Sequence, residues 1–322
     1  MSEPLLNVQG LKTYYFTSMG VVKAVDGVNL TVNKGELVGL VGESGCGKSC
    51  TALSIMRLVP IPGRIVGGDI IYKGRNLVKL REDEMRHIRG KEISIVFQDP
   101  STFLNPLIKI GDQILENIFL HERVSPEQAK KRVIEVLNMV GMPNPERIVK
   151  FYPHELSGGM RQRAMIAMAI ASNPSLLIAD EPTTALDVTI QAQILELIKS
   201  LKEKLGLSIL LITHDLGIVA ELCDVVYVMY AGRIVESADV FTLFEKPKHP
   251  YTKGLLDSTL SIEEFKEIVS TIEGSVPNLI NPPPGCRFHP RCKKAMDICK
   301  KKAPPEIEIE PKHKVSCWLY VK

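Results

Sequence analysis

The sequence predicts an α/β fold with a largely parallel central sheet, and three of its segments support that prediction. Residues 37–41 form a short apolar run that leads through a glycine-rich loop into the helix-forming residues 50–56. Two further apolar runs, residues 176–179 and 209–212, each end in polar residues. Short apolar runs of this kind are typical of buried parallel strands. The carboxyl ends of such strands meet at one edge of the sheet, which is where ligands bind in open α/β folds.

The length and composition indicate one large globular domain with an appendage. The chain has 322 residues, of which 45% are hydrophobic and 24% are charged, and this composition is globular rather than disordered. The net charge of +3 argues against nucleic acid as a partner. No run of about 18 apolar residues predicts a membrane span, and the first residues lack the pattern of a signal peptide. We therefore expect a cytoplasmic protein.

The glycine-rich loop at residues 42–49 matches the pattern G-x-x-x-x-G-K-[ST] in the strand–loop–helix context that a phosphate-binding loop requires. Its glycines allow successive backbone N–H groups to point at phosphate oxygens, and the following helix N-terminus adds positive potential. Lys48 is predicted to reach the β- and γ-phosphates, and the Ser49 hydroxyl to ligate Mg²⁺. A chance turn is the alternative, and the flanking strand and helix argue against it. The predicted phosphate contacts are Gly42, Ser44, Gly45, Cys46, Gly47, Lys48, Ser49 and Cys50.

Further motifs resemble those of the ATP-binding-cassette (ABC) ATPases, and they occur in that family's order. They are a Q-loop at residues 96–100, a signature LSGGMRQR at 156–163, a Walker B strand with its glutamate at 176–182, a D-loop at 184–187 and a switch-histidine strand at 212–215. With the phosphate loop they lie within residues 1–240, the predicted nucleotide-binding domain. The resemblance implies an ATPase of the P-loop NTPase fold that uses ATP and Mg²⁺.

Polar residues at the predicted strand ends supply the candidate catalytic groups. Asp180 follows an apolar run, so its carboxylate is expected at the ligand-binding edge, where it can hold Mg²⁺. Glu181 comes next and can orient or deprotonate the attacking water. His214 and Gln98 also follow apolar runs, and we predict His214 at the γ-phosphate and Gln98 at the metal and the water. A solvated strand end is the alternative for Asp180 and Glu181, and the phosphate loop in the same chain argues against it.

A second anion site is predicted at residues 157–159. The helix-forming residues 161–172 place Ser157 at a helix N-terminus, a position that favours anions. In the resembled family, the segment Ser157-Gly158-Gly159 faces the phosphate loop of a partner subunit, and two ATP molecules lie between the two chains. The resemblance therefore implies a dimeric active state with a second ABC ATPase subunit, which we expect to be a non-identical homologue.

The N-terminal segment is predicted to be an antiparallel β arm that carries the adenine-stacking residue. It holds three adjacent aromatic residues, Tyr14, Tyr15 and Phe16. Side chains alternate between the two faces of a strand, so only some of them can face ATP. The family's spacing from Leu11 favours Tyr15, with Phe16 as the runner-up and ordinary packing as the alternative.

Residues 90–173 are predicted to form a helical subdomain inserted in the cassette. Residues 129–137 carry their apolar side chains on one helical stripe. In the resembled family this subdomain contacts the membrane subunits. The sequence DPSTFLNP at residues 99–106 resembles the version found in peptide importers.

Residues 241–322 are predicted to form a small C-terminal extension. The motif at residues 249–253, HPYTK, resembles the one that marks this extension in dipeptide and oligopeptide transporter ATPases. Four of the seven cysteines follow it with the spacing C-x5-C-x6-C-x17-C, and these are Cys286, Cys292, Cys299 and Cys317.

Four clustered cysteines in a cytoplasmic chain argue against disulfides and for a metal ion or cluster. The spacing alone leaves Zn²⁺ and iron–sulfur both open, although it lacks the close pairs usual for structural zinc. The resemblance of residues 285–292 to the peptide-transporter stretch favours a 4Fe–4S cluster on the four thiolates. Arg287, Arg291, Lys293 and Lys294 would offset its negative charge. We expect this extension to be a separable appendage with a structural cluster.

Together these motifs predict the ATP-hydrolysing subunit of an ABC importer for dipeptides or oligopeptides. Its predicted partners are the second ATPase subunit, two membrane permease subunits and, indirectly, an extracytoplasmic peptide-binding protein, which places it on the inner face of the cell membrane. A motor for another cargo, such as nickel, is the alternative within this class. A non-transport ABC ATPase is expected to carry tandem cassettes or coiled-coil insertions, and the sequence indicates neither. A redox protein would need an electron-transfer partner site, and the sequence indicates none.

Overall fold

The computed structural model of the chain describes residues 3–184, 186–263 and 272–321. The chain divides into two compact units. The first, called the terminal unit here, comprises residues 1–79 and 212–322, and the second, the middle unit, comprises residues 80–211. In the described parts of the chain, no helix is both long enough and apolar enough to cross a membrane.

The terminal unit begins with an antiparallel β arm, as predicted. Its first elements are β1 (Leu6–Thr17), β2 (Gly20–Val32), β3 (Leu37–Val41), α1 (Lys48–Ile55), β4 (Gly63–Tyr72) and β5 (Arg75–Asn76). The arm has the strand order β2-β1-β4-β5, and Leu6 pairs with Val32 on one side and with Tyr72 on the other. Leu6, Val8 and Leu11 are buried, so burial of apolar surface stabilises the arm.

The glycine-rich loop lies between β3 and α1, which confirms the predicted strand–loop–helix segment. All residues of β3 are buried. Helix α1 begins at Lys48, earlier than the predicted residue 50, because Gly47 caps it in a left-handed conformation with a φ of 111°.

The middle unit contains most of the described helices, and the residues predicted as a helical subdomain, 90–173, lie within it. Its elements are α2 (Glu82–Ile88), β6 (Ile93–Val96), α3 (Pro100–Phe103), α4 (Ile110–His121), α5 (Pro126–Met139), α6 (Pro145–Ile148), α7 (Gly158–Ile170), β7 (Leu176–Asp180) and α8 (Val188–Leu205), followed by β8 (Ser208–Thr213), along which the chain returns to the terminal unit. Strands β6 and β7 pair in parallel, with Ile93 opposite Leu176. The predicted parallel strands are therefore confirmed here.

The rest of the terminal unit extends the sheet from β3, first with a parallel strand and then with antiparallel ones. Its elements are α9 (Leu216–Leu222), β9 (Val225–Tyr230), β10 (Arg233–Asp239), α10 (Val240–Glu245), α11 (Pro250–Glu263), α12 (Asp297–Lys301), β11 (Ile307–Glu310) and β12 (His313–Val315). Within this unit the strand order is β11-β12-β10-β9-β3. The sequence analysis missed β11 and β12. The alternation of apolar and charged residues in Ile307–Glu310 is typical of a half-buried strand and could have predicted β11.

Candidate functional site

The phosphate loop of the terminal unit presents its polar residues to solvent. Ser44, Gly45 and Ser49 are exposed. Lys48 is only 4% exposed, and its Nζ donates to the carbonyl oxygens of Gly42 at 2.8 Å and of Glu43 at 3.1 Å. Its ammonium group is therefore held against the backbone at the start of the loop.

Two glycines of the loop are required by close backbone neighbours. A Cβ on Gly42 would lie 2.1 Å from the carbonyl oxygen of Met229, and one on Gly47 would lie 2.3 Å from that of Ala24. Neither neighbour is a flexible side chain, so any larger residue would displace the loop backbone.

The cysteines of the loop and of α1 face inward. Cys46 is fully buried, which raises the pKa of its thiol to about 11. Its backbone N–H donates to the Glu43 carbonyl at 3.3 Å, and its carbonyl accepts from the Gly232 N–H at 2.7 Å. The predicted phosphate contact of Cys46 can therefore involve only its backbone.

The predicted adenine-stacking residue, Tyr15, contacts the helix after the loop. Its hydroxyl lies beside the Cys50 thiol. Burial is the main cause of the raised pKa of Tyr15, and the neighbouring Cys50 thiol is the second cause. The ring is half-buried. The alternative residue, Phe16, is 39% exposed, with the Arg64 guanidinium 4.2 Å above its ring centroid. Tyr14 is excluded from this face, because its hydroxyl donates to Asp26 at 2.7 Å.

In the middle unit, the residues after β7 form a polar cluster around Glu181. Asp180 is buried at the end of the strand. Gln98 Nε2 and Thr184 Oγ1 each donate to Glu181 Oε2, and both bonds are 3.0 Å long. Glu181 has a φ of 46°, a left-handed conformation that is uncommon for a residue other than glycine and is found at functional sites. The structure thus brings Gln98 and Glu181 together, as their predicted roles require.

Thr184 is a site residue that the sequence analysis missed. Its position three residues after Glu181, within the turn that follows β7, is the only sequence signal for this contact. Its neighbour in the predicted D-loop, Ala185, lies outside the described residues.

Ser157 caps the N-terminus of α7, which confirms the helix start predicted there. Its hydroxyl accepts from the Met160 N–H at 3.3 Å, and its side chain is exposed. The helix includes Gly158 and Gly159 and so begins earlier than the predicted residue 161. A Cβ on Gly159 would lie 2.7 Å from Ile190 Cγ2, so glycine at this position allows α7 to approach α8.

His214 follows β8 in the terminal unit and is exposed. The residues on either side of it fix the backbone, since the Thr213 hydroxyl accepts from the Asp215 N–H at 3.0 Å. Asp215 in turn caps α9 by accepting from the Gly217 N–H at 2.8 Å. His214 therefore follows the end of a buried strand, and its predicted place at the γ-phosphate stays a prediction.

The four cysteines of the extension lie within electrostatic range of one another. Burial, with smaller contributions from charge on Cys286, Cys292 and Cys299, raises the pKa of the Cys317 thiol to about 11. Burial also raises the pKa of Cys286, with the same kind of contribution from Cys299 and Cys292. All are free thiols. As they stand, however, the described residues include no group of three or more His, Cys, Asp or Glu side chains arranged to hold a metal ion.

The basic residues beside these cysteines do not act together as the sequence analysis supposed. Arg287 pairs with Asp26, and Arg291 pairs with Glu43. Of these four basic residues, only Lys293 and Lys294 are exposed. The two arginines are therefore engaged by carboxylates outside the cysteine segment.

Two protein-family models match two successive parts of the chain. The model described as ABC transporter matches residues 25–184. The model described as oligopeptide/dipeptide transporter, C-terminal region, matches residues 235–299. The fold and the phosphate loop thus define an ATP-binding cassette, the ATP-hydrolysing module of ABC transporters.

Curated relatives match the whole chain. The oligopeptide transport ATP-binding protein OppD of Bacillus subtilis is 53% identical over 98% of this chain and 88% of its own length. The dipeptide transport ATP-binding protein DppD of the same organism is 48% identical over 98% of this chain and 95% of its own length. The chain belongs to the family of ATP-binding proteins of oligopeptide and dipeptide ABC transporters.

A solved structure agrees with the cassette assignment. A dimeric ATP-binding cassette in a post-hydrolysis state, bound to ADP and phosphate, superposes with a TM-score of 0.66 at 29% identity. It covers 73% of this chain and 98% of its own length. The likeness therefore extends over the cassette fold and leaves about a quarter of this chain outside it.

Proposed function

We propose that this chain is the ATP-hydrolysing subunit of an importer for dipeptides or oligopeptides. The observation that carries the proposal is near full-length similarity to peptide transport proteins, including the C-terminal region that the transporter model describes. The exposed phosphate loop and the Gln98–Glu181 pair supply the chemistry that such a motor needs.

The phosphate loop binds the nucleotide in this proposal. Lys48 holds the β- and γ-phosphates, and the backbone N–H groups of the loop take the remaining oxygens. Mg²⁺ would neutralise phosphate charge, with Ser49, Gln98 and Asp180 as its protein ligands. Tyr15 stacks on adenine, and its contact with Cys50 fixes the ring at the start of α1.

Glu181 orients and deprotonates the attacking water in this proposal. Gln98 and Thr184 both donate to its carboxylate oxygen Oε2, which supports the proposal because these bonds fix the orientation of the carboxylate at the end of β7. His214 stabilises charge at the γ-phosphate, and the Ser157-Gly158-Gly159 segment takes the phosphates of a nucleotide bound by the partner ATPase subunit.

Replacing Glu181 tests the catalytic role. Glu181→Gln should bind ATP normally while hydrolysis falls about 100-fold or more, the usual contribution of a general base. Glu196→Gln, an exposed change on α8, is the matched control and should hydrolyse ATP at the wild-type rate. Normal turnover by Glu181→Gln would remove Glu181 from the mechanism.

The proposed assembly contains a second, non-identical ATPase subunit and two membrane permease subunits, on the inner face of the membrane. The extracytoplasmic binding protein delivers the peptide and contacts this chain only indirectly. Sedimentation should show a monomer without nucleotide and, for Glu181→Gln with ATP, a dimer. A stable dimer in the absence of nucleotide would contradict ATP-driven closure.

We also propose that the four cysteines of the extension hold a 4Fe–4S cluster with a structural role. The chemistry of the donors supports this proposal, because four free thiols lie in one segment and thiolates are the usual ligands of such clusters. Since the described residues are not arranged as a metal site, the proposal requires the thiols to move together when the cluster binds. Anaerobically purified protein should be brown and contain about four iron and four sulfide per chain. If the protein contained one zinc per chain and no sulfide, the four cysteines would be a zinc site and the cluster assignment would be wrong.

A further inference from the structure

Glu43 of the phosphate loop is held by two residues of the C-terminal extension. Arg291 donates from Nη1 to Oε2 at 2.7 Å and from Nη2 to Oε1 at 3.0 Å, a bidentate pair. The Tyr251 hydroxyl accepts from the Glu43 backbone N–H at 3.0 Å. Bidentate arginine–carboxylate pairs fix orientation as well as distance, so both the side chain and the backbone of Glu43 are fixed from outside the loop.

Arg291 is itself fixed on several sides. Its Nε donates to the Glu273 carbonyl at 2.9 Å, and its Nη2 donates to the Ile272 carbonyl at 3.0 Å. The guanidinium lies 5.8 Å from the centroid of the Tyr230 ring. Its side chain is only 6% exposed. The ion pair is therefore largely shielded from solvent, where such pairs are stronger than at the surface.

The aromatic ring of Tyr251 is fixed by its neighbours. Its centroid lies 4.6 Å from that of Tyr230 and 5.3 Å from that of Phe288. Phe288 belongs to the cysteine segment, between Cys286 and Cys292. The hydroxyl that contacts the loop is thus positioned by the segment that carries the thiols.

A second path leads from the same segment to the other side of the loop. Arg287 donates to Asp26 at 2.5 Å and also to the Ala231 carbonyl. The next residue, Gly232, donates its N–H to the carbonyl of Cys46 at 2.7 Å. Arg287 therefore fixes the turn that holds the back of the phosphate loop.

We propose that Arg291 and Tyr251 are positioning residues for ATP binding, through which the four-cysteine segment sets the affinity of the phosphate loop for ATP. The inference rests on the proposed nucleotide role of this loop. A loop already ordered in its binding conformation loses less freedom when the ligand arrives, so it binds more tightly than a loop that must be ordered. Arg291 stands next to Cys292 in the sequence, so a change at the thiols displaces the residue that orients Glu43.

The test compares ATP binding by full-length variants in the presence of Mg²⁺. Arg291→Gln should raise the Kd for ATP about tenfold, the scale expected on losing one charge-assisted bidentate pair. The KM for ATP should rise with it while kcat stays near the wild-type value. Arg291→Lys should recover part of the affinity, because it restores the charge but not the bidentate geometry. Arg81→Gln is the matched control, since this arginine is 77% exposed and pairs only with neighbouring acids of the middle unit.

Double substitution separates positioning from general weakening. If Arg291 acts through Glu43, the double variant with Glu43→Gln and Arg291→Gln should bind ATP as Arg291→Gln does. Additive losses would overturn the inference.

If Arg291→Gln fails to fold, Tyr251→Phe tests the inference instead, because it removes only the hydroxyl. It should raise the Kd for ATP about threefold, roughly the net value of one neutral hydrogen bond. Unchanged affinity in Arg291→Gln and Tyr251→Phe, with wild-type protein that binds ATP, would overturn this inference alone. Wild-type protein that binds no ATP would overturn the proposed function as well.

Discussion

The phosphate loop and the C-terminal extension use polar groups in opposite ways. The loop exposes Ser44 and Ser49, and Lys48 donates to the Gly42 carbonyl within it. The extension instead buries several polar groups against protein partners, as His313 does with Glu236 of β10 at 2.8 Å. Exposed donors are available to a ligand, whereas buried and satisfied groups fix a chain in place. The extension is therefore built for positioning, and the loop is built for binding.

The main buried anchor of the extension is the carboxylate of Glu236 on β10. It accepts from the backbone N–H groups of Lys248 at 2.6 Å and of His249 at 2.9 Å, as well as from His313 Nε2. His249 Nδ1 then accepts from the Tyr251 N–H at 3.1 Å. This chain of bonds places the Tyr251 hydroxyl against the phosphate loop.

The largest effect is expected from removing that anchor. Glu236→Ala leaves two backbone N–H groups and His313 without their acceptor, and we expect a loss of about 3–5 kcal/mol in the free energy of unfolding of the terminal unit. Urea unfolding measures this loss, and limited proteolysis should cut the extension faster. Asp297→Ala, at a carboxylate that is 88% exposed, should leave both measurements unchanged. Wild-type stability in Glu236→Ala would mean that the buried bonds do not fix the extension.

The next effect is on the loop itself. Lys48→Ala removes the charge that faces the phosphates, and we expect ATP affinity to fall about 100-fold, as for the loss of a charged hydrogen-bonding group. Lys48 Nζ donates to the carbonyl oxygens of Gly42 and Glu43 within the loop itself, so we expect the fold to remain intact. Lys34→Ala, an exposed change, is the control. Titration calorimetry with ATP and Mg²⁺ distinguishes the two variants, and equal affinities would contradict the role of Lys48.

The phosphate loop could be predicted from sequence because its chemistry is local. Residues 42–49 contain both the glycines that allow the turn and the lysine and serine that are proposed to contact the ligand. The same holds for Ser157, since a helix N-terminus is defined by the few residues around it. The parallel strands β6 and β7 were predictable from short apolar runs for the same reason.

The contacts that hold the loop could not be predicted in this way. Arg291 and Glu43 are 248 residues apart in sequence, and Arg287 and Asp26 are 261 residues apart. The positions of Arg287 and Arg291 beside the cysteines suggested that they offset the charge of a cluster. That prediction failed because neighbours in the sequence do not show where a long side chain points. The prediction that residues 241–322 form a separable appendage is also at odds with these contacts, because it was made from that segment alone.

A smaller effect should follow from a change at the thiols. Cys299 is buried, and its carbonyl accepts from the Cys286 N–H at 2.8 Å. Cys299→Ser should lower the iron and sulfide content and, through Arg291, weaken ATP binding about threefold. Cys223→Ser, at a buried cysteine outside the extension, should leave the iron content unchanged. If a cluster-free Cys299→Ser protein bound ATP with wild-type affinity, the extension would be a separable appendage, as first predicted.

A last effect, which appears only on acidification, concerns the stability of the extension at His249. Burial lowers the pKa of His249 to about 3, from its ordinary value of 6.5. The unfolded chain takes up a proton at this ring below pH 6.5, whereas the folded chain does not, so the contribution of His249 is complete above pH 6.5 and declines as the pH falls towards 3. The slope is at most about 1.4 kcal/mol per pH unit.

His249→Asn isolates this titration from other groups. The asparagine Oδ1 can still accept from the Tyr251 N–H, but it has no proton to gain, so the variant should lose less stability on acidification. Between pH 7.5 and pH 5, urea unfolding should show a wild-type loss that exceeds the loss in His249→Asn by about 2 kcal/mol. His154→Asn, at an exposed histidine, should retain the wild-type slope. Parallel slopes for wild type and His249→Asn would show that His249 stays accessible to protons in the folded chain, and that the anchor beneath Tyr251 opens more readily than its burial indicates.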